Sequence, residues 1–201
     1  MSSDPDWKVY YEVTDGRPPR PTMLKALDLF VGEGRRSGLE ALDLGCGTGR
    51  DALPLLRAGW RVHALDQEEA ALEGLREKAA AAGLSDLHTI HAAYEEASLP
   101  PVDLVNASFT LFASAPDRFP GLWDKIVNAV RPGGRFAGQL LGVKDSWAAR
   151  PHMSVHTADE LARLLSKLEV EWLNEEEDDA VTPRGEAKHW HIYHVVARKP
   201  S

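Results

Sequence analysis

Residues 41–51 read Ala41-Leu42-Asp43-Leu44-Gly45-Cys46-Gly47-Thr48-Gly49-Arg50-Asp51, an apolar stretch that ends in a glycine-rich turn. Three glycines within five residues let the backbone turn sharply and leave no side chain above the turn. A ligand can therefore lie directly on the main chain, close to the amide donors at the start of the next helix. The spacing is Gly-x-Gly-x-Gly, which differs from the Gly-x-Gly-x-x-Gly of dinucleotide-binding proteins because Arg50 stands at the position of their third glycine.

Length and composition favour one globular domain spanning residues 1–201. A chain of 201 residues with 43% hydrophobic residues can bury a full core. The formal net charge of −8 argues against extended contact with nucleic acid or anionic lipid. A single cysteine, Cys46, leaves no internal disulfide and suits a reducing compartment. With no signal-peptide core and no apolar run long enough to span a membrane, we expect a cytoplasmic protein, and we infer no obligate protein partner.

Strand and helix patterns alternate along the chain. Apolar runs predict strands at 40–44, 61–65, 87–91, 102–107 and 135–141, and helical spacing predicts helices at 21–36, 51–58, 67–82, 117–130 and 157–168. Residues 170–174 and 190–198 read as a final antiparallel pair, with the acidic run 175–179 in the hairpin loop. Strands that alternate with helices imply a mostly parallel sheet covered on both faces. We therefore predict an α/β, Rossmann-like, doubly wound sheet of seven strands with a final antiparallel strand.

In this form, with Asp43 before the turn, the segment resembles the first motif of class I S-adenosylmethionine-dependent methyltransferases. Asp66 ends the next apolar stretch, where that family places an acid that accepts hydrogen bonds from the ribose hydroxyls. Asp103-Leu104-Val105 is similar to the fourth-strand motif of the family, and Arg131-Pro132-Gly133-Gly134 is similar to its turn before the fifth strand. The resemblance covers nearly the whole chain.

Both ends of the chain resemble the small enzymes of the tellurite-resistance and thiopurine-methyltransferase type. The likeness rests on Trp7 with Tyr10-Tyr11 before the first helix and on Lys188-His189-Trp190-His191 near the other end. It implies that residues 1–20 form a lid over the cofactor.

The resemblance implies S-adenosylmethionine as the cofactor and S-adenosylhomocysteine as the product. Asp43 would face the ammonium group of the methionine portion, Asp66 would bind the ribose, and Asn106 would lie beside the transferring methyl group. The full set of implied cofactor-binding residues is Asp43, Gly45, Cys46, Gly47, Gly49, Asp66, Gln67, Ala93, Tyr94, Asn106 and Ala107.

The segment after the third predicted strand departs from the pattern of many relatives. Those relatives carry an aspartate that holds the adenine amino group, whereas this chain reads His91-Ala92-Ala93-Tyr94-Glu95-Glu96. Either Glu95 takes that role or main-chain amides near Ala93 and Tyr94 hold the adenine. Both alternatives stay open.

Four aromatic residues are the candidates for contact with the acceptor: Tyr10, Phe109, Phe112 and Trp190. Tyr11 and His189 are weak candidates for a catalytic role, and no catalytic residue is assigned. Arg17, Arg20 or Lys188 would attract an anionic acceptor. His189 and His191 share one face of a strand, but two ligands without a third make a poor metal site, so we expect no metal.

These features favour a methyltransferase that acts on a small-molecule acceptor. Asn106-Ala107-Ser108-Phe109 lacks the Asn-Pro-Pro-aromatic motif, which argues against methylation of nucleobase amino groups. No clear general base is present, which suits soft acceptors such as thiols, selenols or reduced chalcogen oxyanions. The alternatives are a protein or RNA methyltransferase and a catalytically silent protein that binds S-adenosylmethionine.

Overall fold

The computed structural model describes residues 7–36 and 38–201. Its centre is an eight-stranded β-sheet. Seven strands form one path in the order β3-β2-β1-β4-β5-β8-β7, and the short β6 pairs with β5. The strands are β1 (Glu40–Leu44), β2 (Arg61–Asp66), β3 (Leu87–His91), β4 (Val102–Ala107), β5 (Val130–Gly142), β6 (Val155–His156), β7 (Glu169–Val181) and β8 (Ala187–Arg198).

Strand directions confirm the predicted Rossmann-like sheet. Strands β1 to β5 pair in parallel, and β8 is antiparallel to both of its neighbours, β5 and β7. The strand order reverses between β1 and β4, which is the point where open α/β sheets bind ligands outside the carboxyl ends of their strands. That residues 1–201 form a single domain stays a prediction.

Helices cover both faces of the sheet and form two hydrophobic cores. One core contains Phe30, Leu55 and Leu72, and the other contains Ile126 and Leu161. The helices are α1 (Trp7–Thr14), α2 (Pro21–Gly32), α3 (Ala52–Arg57), α4 (Glu69–Ala81), α5 (Phe119–Ala129) and α6 (Ala158–Leu164). The five helices that the sequence predicts are shorter in the structure, because turns follow α2, α3 and α4, a 3-10 helix follows α6, and Val130 already belongs to β5.

The β7–β8 hairpin is longer than the sequence pattern predicts. The prediction that the acidic run 175–179 lies in the hairpin loop is wrong, because the run lies inside β7. Its residues are exposed and pair with β8 through the main chain, as in Glu177 opposite His191. Strand β7 lies at the edge of the sheet, and its side chains from 173 to 181 are exposed on both faces, so charged residues can occupy it without entering the core.

The amino ends of the strands carry fully paired charges. Arg135 is 1% exposed and binds the carboxylates of Glu33 and Glu171, the latter at 2.6 Å from its Nε. Asp103 accepts from Arg35 at 2.6 Å and from Arg131 at 2.9 Å. The ion pairs of Asp103 therefore stabilise the amino ends of the central strands, at the opposite end of the sheet from the glycine turn.

Candidate active site

The glycine turn lies between the end of β1 and the start of α3. Gly45, Gly47 and Gly49 have φ values of +65°, +51° and +93°, a backbone region that L-residues with a side chain rarely adopt. A Cβ at Gly45 would overlap Thr110, and one at Gly49 would overlap Leu75. The turn thus needs glycine both for its conformation and for its close packing.

Asp66 binds the main chain of this turn from the end of β2. Its Oδ2 accepts a hydrogen bond from Gly47 N at 2.8 Å, and its Oδ1 accepts from Glu68 N at 3.0 Å. The Tyr11 hydroxyl lies 3.5 Å from Oδ1, so α1 reaches over the turn. Burial raises the pKa of the Asp66 carboxyl above its usual range.

Asp43 is a buried carboxylate at the carboxyl end of β1. It is 2% exposed, and its Oδ1 accepts from Asn106 Nδ2 at 2.7 Å. The same amide group donates to Asp51 Oδ2 at 3.1 Å, so Asn106 joins the two carboxylates. Burial, followed by repulsion from Asp51, raises the pKa of Asp43 well above its usual range.

One oxygen of Asp43 suits an ammonium group. Asp43 Oδ2 is buried and has no hydrogen-bond partner among the described residues. A buried acceptor without a donor costs about 1–3 kcal/mol, which a charged donor from a ligand would remove. Together with the open glycine turn, this orphaned oxygen fits the methionine end of S-adenosylmethionine.

The segment after β3 brings both candidates for the adenine contact to the same region. Tyr94 and Glu95 face the cavity, and the Tyr94 hydroxyl donates to Thr110 O at 3.3 Å. Ala93 is not among the lining residues, and its carbonyl closes a turn by accepting from Glu96 N and Ala97 N. The choice between Glu95 and a main-chain amide is still open.

A cavity of about 1690 Å³ extends from the glycine turn to an aromatic wall beside β8. Its lining includes these predicted site residues: Tyr10, Tyr11, Asp43, Gly45, Cys46, Gly47, Gly49, Asp66, Gln67, Tyr94, Phe109, Phe112 and Trp190. Asn106 and Ala107 are fully buried behind it and, like Ala93, do not line it. Asn106 therefore acts on the cavity through Asp43, and all of these assignments stay predictions.

His189 lies away from the cavity wall. Its ring nitrogens contact Asp179 at 2.7 Å and Glu177 at 3.4 Å on the neighbouring strand. These carboxylates raise the pKa of His189 above its usual value. Lys188 is buried, pairs with Asp145, and lies 3.9 Å from the centre of the Trp190 ring.

Several residues at the cavity were absent from the sequence prediction. Trp147 follows β5 in a short 3-10 turn that no motif marks, and Thr182 and Pro183 belong to the hairpin tip, which reaches the cavity from β7. Asp51 could have been found, because it directly follows the glycine turn in the sequence, and its carboxylate joins the Asn106 network.

No three metal-binding side chains cluster within the part of the chain that the structure describes. No helix there is long and apolar enough to cross a membrane.

Comparison with known proteins supports the family predicted from these motifs. The family model described as a methyltransferase domain matches residues 41–134. No curated protein sequence is significantly similar to the chain. The crystal structure of TehB from Haemophilus influenzae is similar, with 18% identity and a TM-score of 0.77 over 90% of this chain and 62% of TehB. The chain thus spans less than two thirds of the length of TehB.

Two other similar structures contain the cofactor or its product. Magnesium protoporphyrin IX methyltransferase from Synechocystis PCC 6803, solved with S-adenosylmethionine, is 12% identical with a TM-score of 0.70 over 96% of this chain and 90% of that one. The Burkholderia thailandensis 1,6-didemethyltoxoflavin-N1-methyltransferase, solved with 1,6-didemethyltoxoflavin and S-adenosylhomocysteine, is 21% identical with a TM-score of 0.66 over 97% and 85%. Residues 41–134 therefore match a methyltransferase-domain model, and the chain has the fold of S-adenosylmethionine-dependent methyltransferases.

Proposed function

We propose that the protein transfers the methyl group of S-adenosylmethionine to a small molecule whose reacting atom is a soft nucleophile, such as a thiol, a selenol or a reduced chalcogen oxyanion. The cavity is the observation that carries this proposal. Its volume of about 1690 Å³ exceeds the ~300–1000 Å³ that is usual for one ligand. It therefore has room for both cofactor and acceptor beside the same glycine turn.

The residues of the chain bind and orient the two reactants. Asp43 would hold the methionine ammonium through its unpaired Oδ2, and Asp66 has lone pairs left for the ribose hydroxyls after its two main-chain hydrogen bonds. The bound cofactor supplies a methyl group that its sulfonium already activates. The remaining tasks of the protein are to align the acceptor and to exclude water.

The titratable groups near the turn favour an acceptor that needs no strong base. Burial and the nearby Asp66 raise the pKa of the Tyr11 phenol, which is therefore protonated near neutral pH and acts as a hydrogen-bond donor. His152 is the one histidine among the described lining residues, and His189 is held outside by two carboxylates. A thiol or selenol that is ionised near neutral pH reacts without such a base.

Two likenesses support a small acceptor. The resemblance to the tellurite-resistance and thiopurine enzymes points to soft nucleophiles, and the name of the Burkholderia thailandensis enzyme gives a small-molecule acceptor for that protein. The net charge of −8 is a separate argument, because it disfavours binding to nucleic acid.

The test combines cofactor binding with product formation. Calorimetry measures the affinity for S-adenosylmethionine, and release of S-adenosylhomocysteine is then followed with thiols, selenite, tellurite, alcohols, amines, peptides and RNA. We expect product with a thiol or a selenium or tellurium acceptor, and at least about tenfold less from Asp66→Ala at the same subsaturating cofactor concentration. Product with an alcohol or amine alone contradicts the soft nucleophile. Product with macromolecules alone, or binding without any turnover, contradicts the small-molecule activity.

A further inference from the structure

One side of the cavity is a continuous wall of aromatic rings. Ring centres are 5.5 Å apart for Phe112 and Trp147, 5.7 Å for Trp147 and Trp190, and 6.0 Å for Phe109 and Trp190. All four side chains line the cavity and are only partly buried, and the Lys188 ammonium lies over one face of Trp147 at 4.4 Å and of Trp190 at 3.9 Å, which leaves the opposite face of each ring for a ligand. Aromatic rings prefer to stack on or against other rings at these spacings.

The backbone holds Phe109 toward the cavity in an unusual conformation. Phe109 has a φ of +54°, which is uncommon for a bulky residue that is not glycine. Its N–H donates to the buried Gln139 Oε1 at 3.0 Å, and this amide also binds Thr22 at 2.9 Å. Such a conformation persists only where the surrounding structure maintains it, and it is common at ligand sites.

Arg20 brings a positive charge to the same place. Its guanidinium carbon lies 4.1 Å from the centre of the Phe109 ring, and it forms no ion pair with any side chain that the structure describes. Only its main-chain N–H binds a carboxylate, that of Asp51, at 2.8 Å. Burial, and then the nearby charge of Arg50, lower the pKa of Arg20 to about 10. A bound anion beside the guanidinium would offset both effects, because an opposite charge stabilises the charged form of Arg20.

From the open aromatic wall and the unpaired guanidinium we propose that the acceptor is a flat conjugated ring that carries an anionic group. The ring stacks against Trp147 and Trp190, and the anionic group binds Arg20, whose planar fork matches a carboxylate. This rests on the proposed methyl transfer and adds the shape and charge of the acceptor. A bare oxyanion would leave the aromatic wall without a function.

The methionine carboxylate of the cofactor is the other anion that Arg20 could bind, and the test separates the two. The protein saturated with S-adenosylhomocysteine is titrated calorimetrically with three probes: 2-naphthoate, 2-naphthamide and decahydro-2-naphthoate. Because no methyl is transferred, the result does not depend on turnover. We expect 2-naphthoate to bind about tenfold more tightly than either of the others, since one loses the charge and the other the flat ring.

Variants assign each preference to its residue. Arg20→Gln is expected to bring the affinities for 2-naphthoate and 2-naphthamide within about twofold, and Trp190→Leu to do the same for the aromatic and saturated carboxylates. Arg118→Gln is the matched control, because Arg118 is exposed and does not line the cavity, and both preferences should survive. Trp190→Phe keeps a ring and should retain most of the aromatic preference, and thermal melting verifies that each variant is folded.

Several results would overturn the proposal. One is that Arg20→Gln weakens binding of S-adenosylhomocysteine and leaves the naphthoate preference intact, which assigns Arg20 to the cofactor. Equal binding of the three probes, or no binding at millimolar concentration, also contradicts it. Tight cofactor binding with methylation of aliphatic thiols alone would preserve the proposed function and refute this acceptor class. If the wild-type protein binds no S-adenosylhomocysteine at all, the proposed function is refuted instead.

Discussion

The substitution Asp43→Asn should stabilise the fold while it weakens cofactor binding. Asp43 is buried beside Asp51, and its Oδ2 has no donor among the described residues. Removing the charge relieves desolvation and repulsion, and relief of this kind at a functional site typically adds about 1–2 kcal/mol to the free energy of unfolding. In a chain of this size, each kcal/mol raises Tm by about 2–4 °C. Loss of a charge-assisted bond to the ammonium group costs about 1.5–3 kcal/mol, or at least about tenfold in Kd.

The effect on stability should grow with pH. The pKa of Asp43 is raised in the folded state, so its contribution to stability is fully present below the unfolded pKa and is lost as pH rises through the folded value. The uncharged Asp43→Asn side chain does not titrate. The difference in Tm between Asp43→Asn and the wild type should therefore be smallest in acid and largest near neutral pH.

The assay is thermal melting of both proteins across a pH series, with and without S-adenosylhomocysteine, together with calorimetric Kd values. Asp28→Asn is the matched control, because Asp28 is exposed on α2 and should change neither Tm nor Kd. The reasoning fails if Asp43→Asn lowers Tm in the absence of ligand. It also fails if the variant binds the cofactor with unchanged affinity, since Oδ2 would then have no role at the ammonium group.

Four further substitutions test other parts of the site and the fold. Asp66→Asn should weaken S-adenosylmethionine binding by about 1.5–3 kcal/mol, because charge-assisted bonds to the ribose are lost; calorimetry that finds Kd within twofold of the wild type removes Asp66 from the site. Gly49→Ala should destabilise the chain by at least about 1 kcal/mol, since the turn has a φ of +93° and the new Cβ would overlap Leu75, and an unchanged urea midpoint would contradict this. Glu171→Gln should lower the free energy of unfolding less than Arg135→Ala does. For Arg135→Ala we expect a loss of about 3–5 kcal/mol, because two carboxylates lose their shared partner. Equal losses in urea unfolding would argue against the shared ion pair.

The sequence predicted the elements whose signals are local. The bounds of β1, β3 and β4 agree with the predicted ones because apolar runs and flanking turn residues mark both ends. A capping box is a local signal of the same kind, and α6 begins with one, in which Thr157 Oγ1 accepts from Glu160 N at 3.2 Å. The turn 45–49 could be predicted for the same reason, since its three closely spaced glycines permit the positive φ values that the turn requires.

Contacts between distant segments could not be predicted in this way. Trp147 reaches the cavity because Asp145 binds Lys188 and accepts from His191 N at 3.1 Å, and nothing in the sequence pairs these segments. Treating Lys188, His189 and Trp190 all as candidates for the site neglected the alternation of side chains along a strand. Lys188 and Trp190 lie on one face of β8 and contact each other, whereas His189 points to the carboxylates of β7.

The two ends of the sheet differ in how charge is compensated, and this difference locates the site. At the amino ends, Arg135 and Asp103 each have two partners of opposite charge from within the chain. At the carboxyl ends, Asp43 keeps a buried oxygen without a donor and Arg20 forms no ion pair with a described side chain. Unpaired charges are expensive to bury, and the chain pairs its buried charges where the fold alone requires them. We therefore infer that ligands complete the unpaired carboxylate and guanidinium: a cation at the glycine turn and an anion at the aromatic wall.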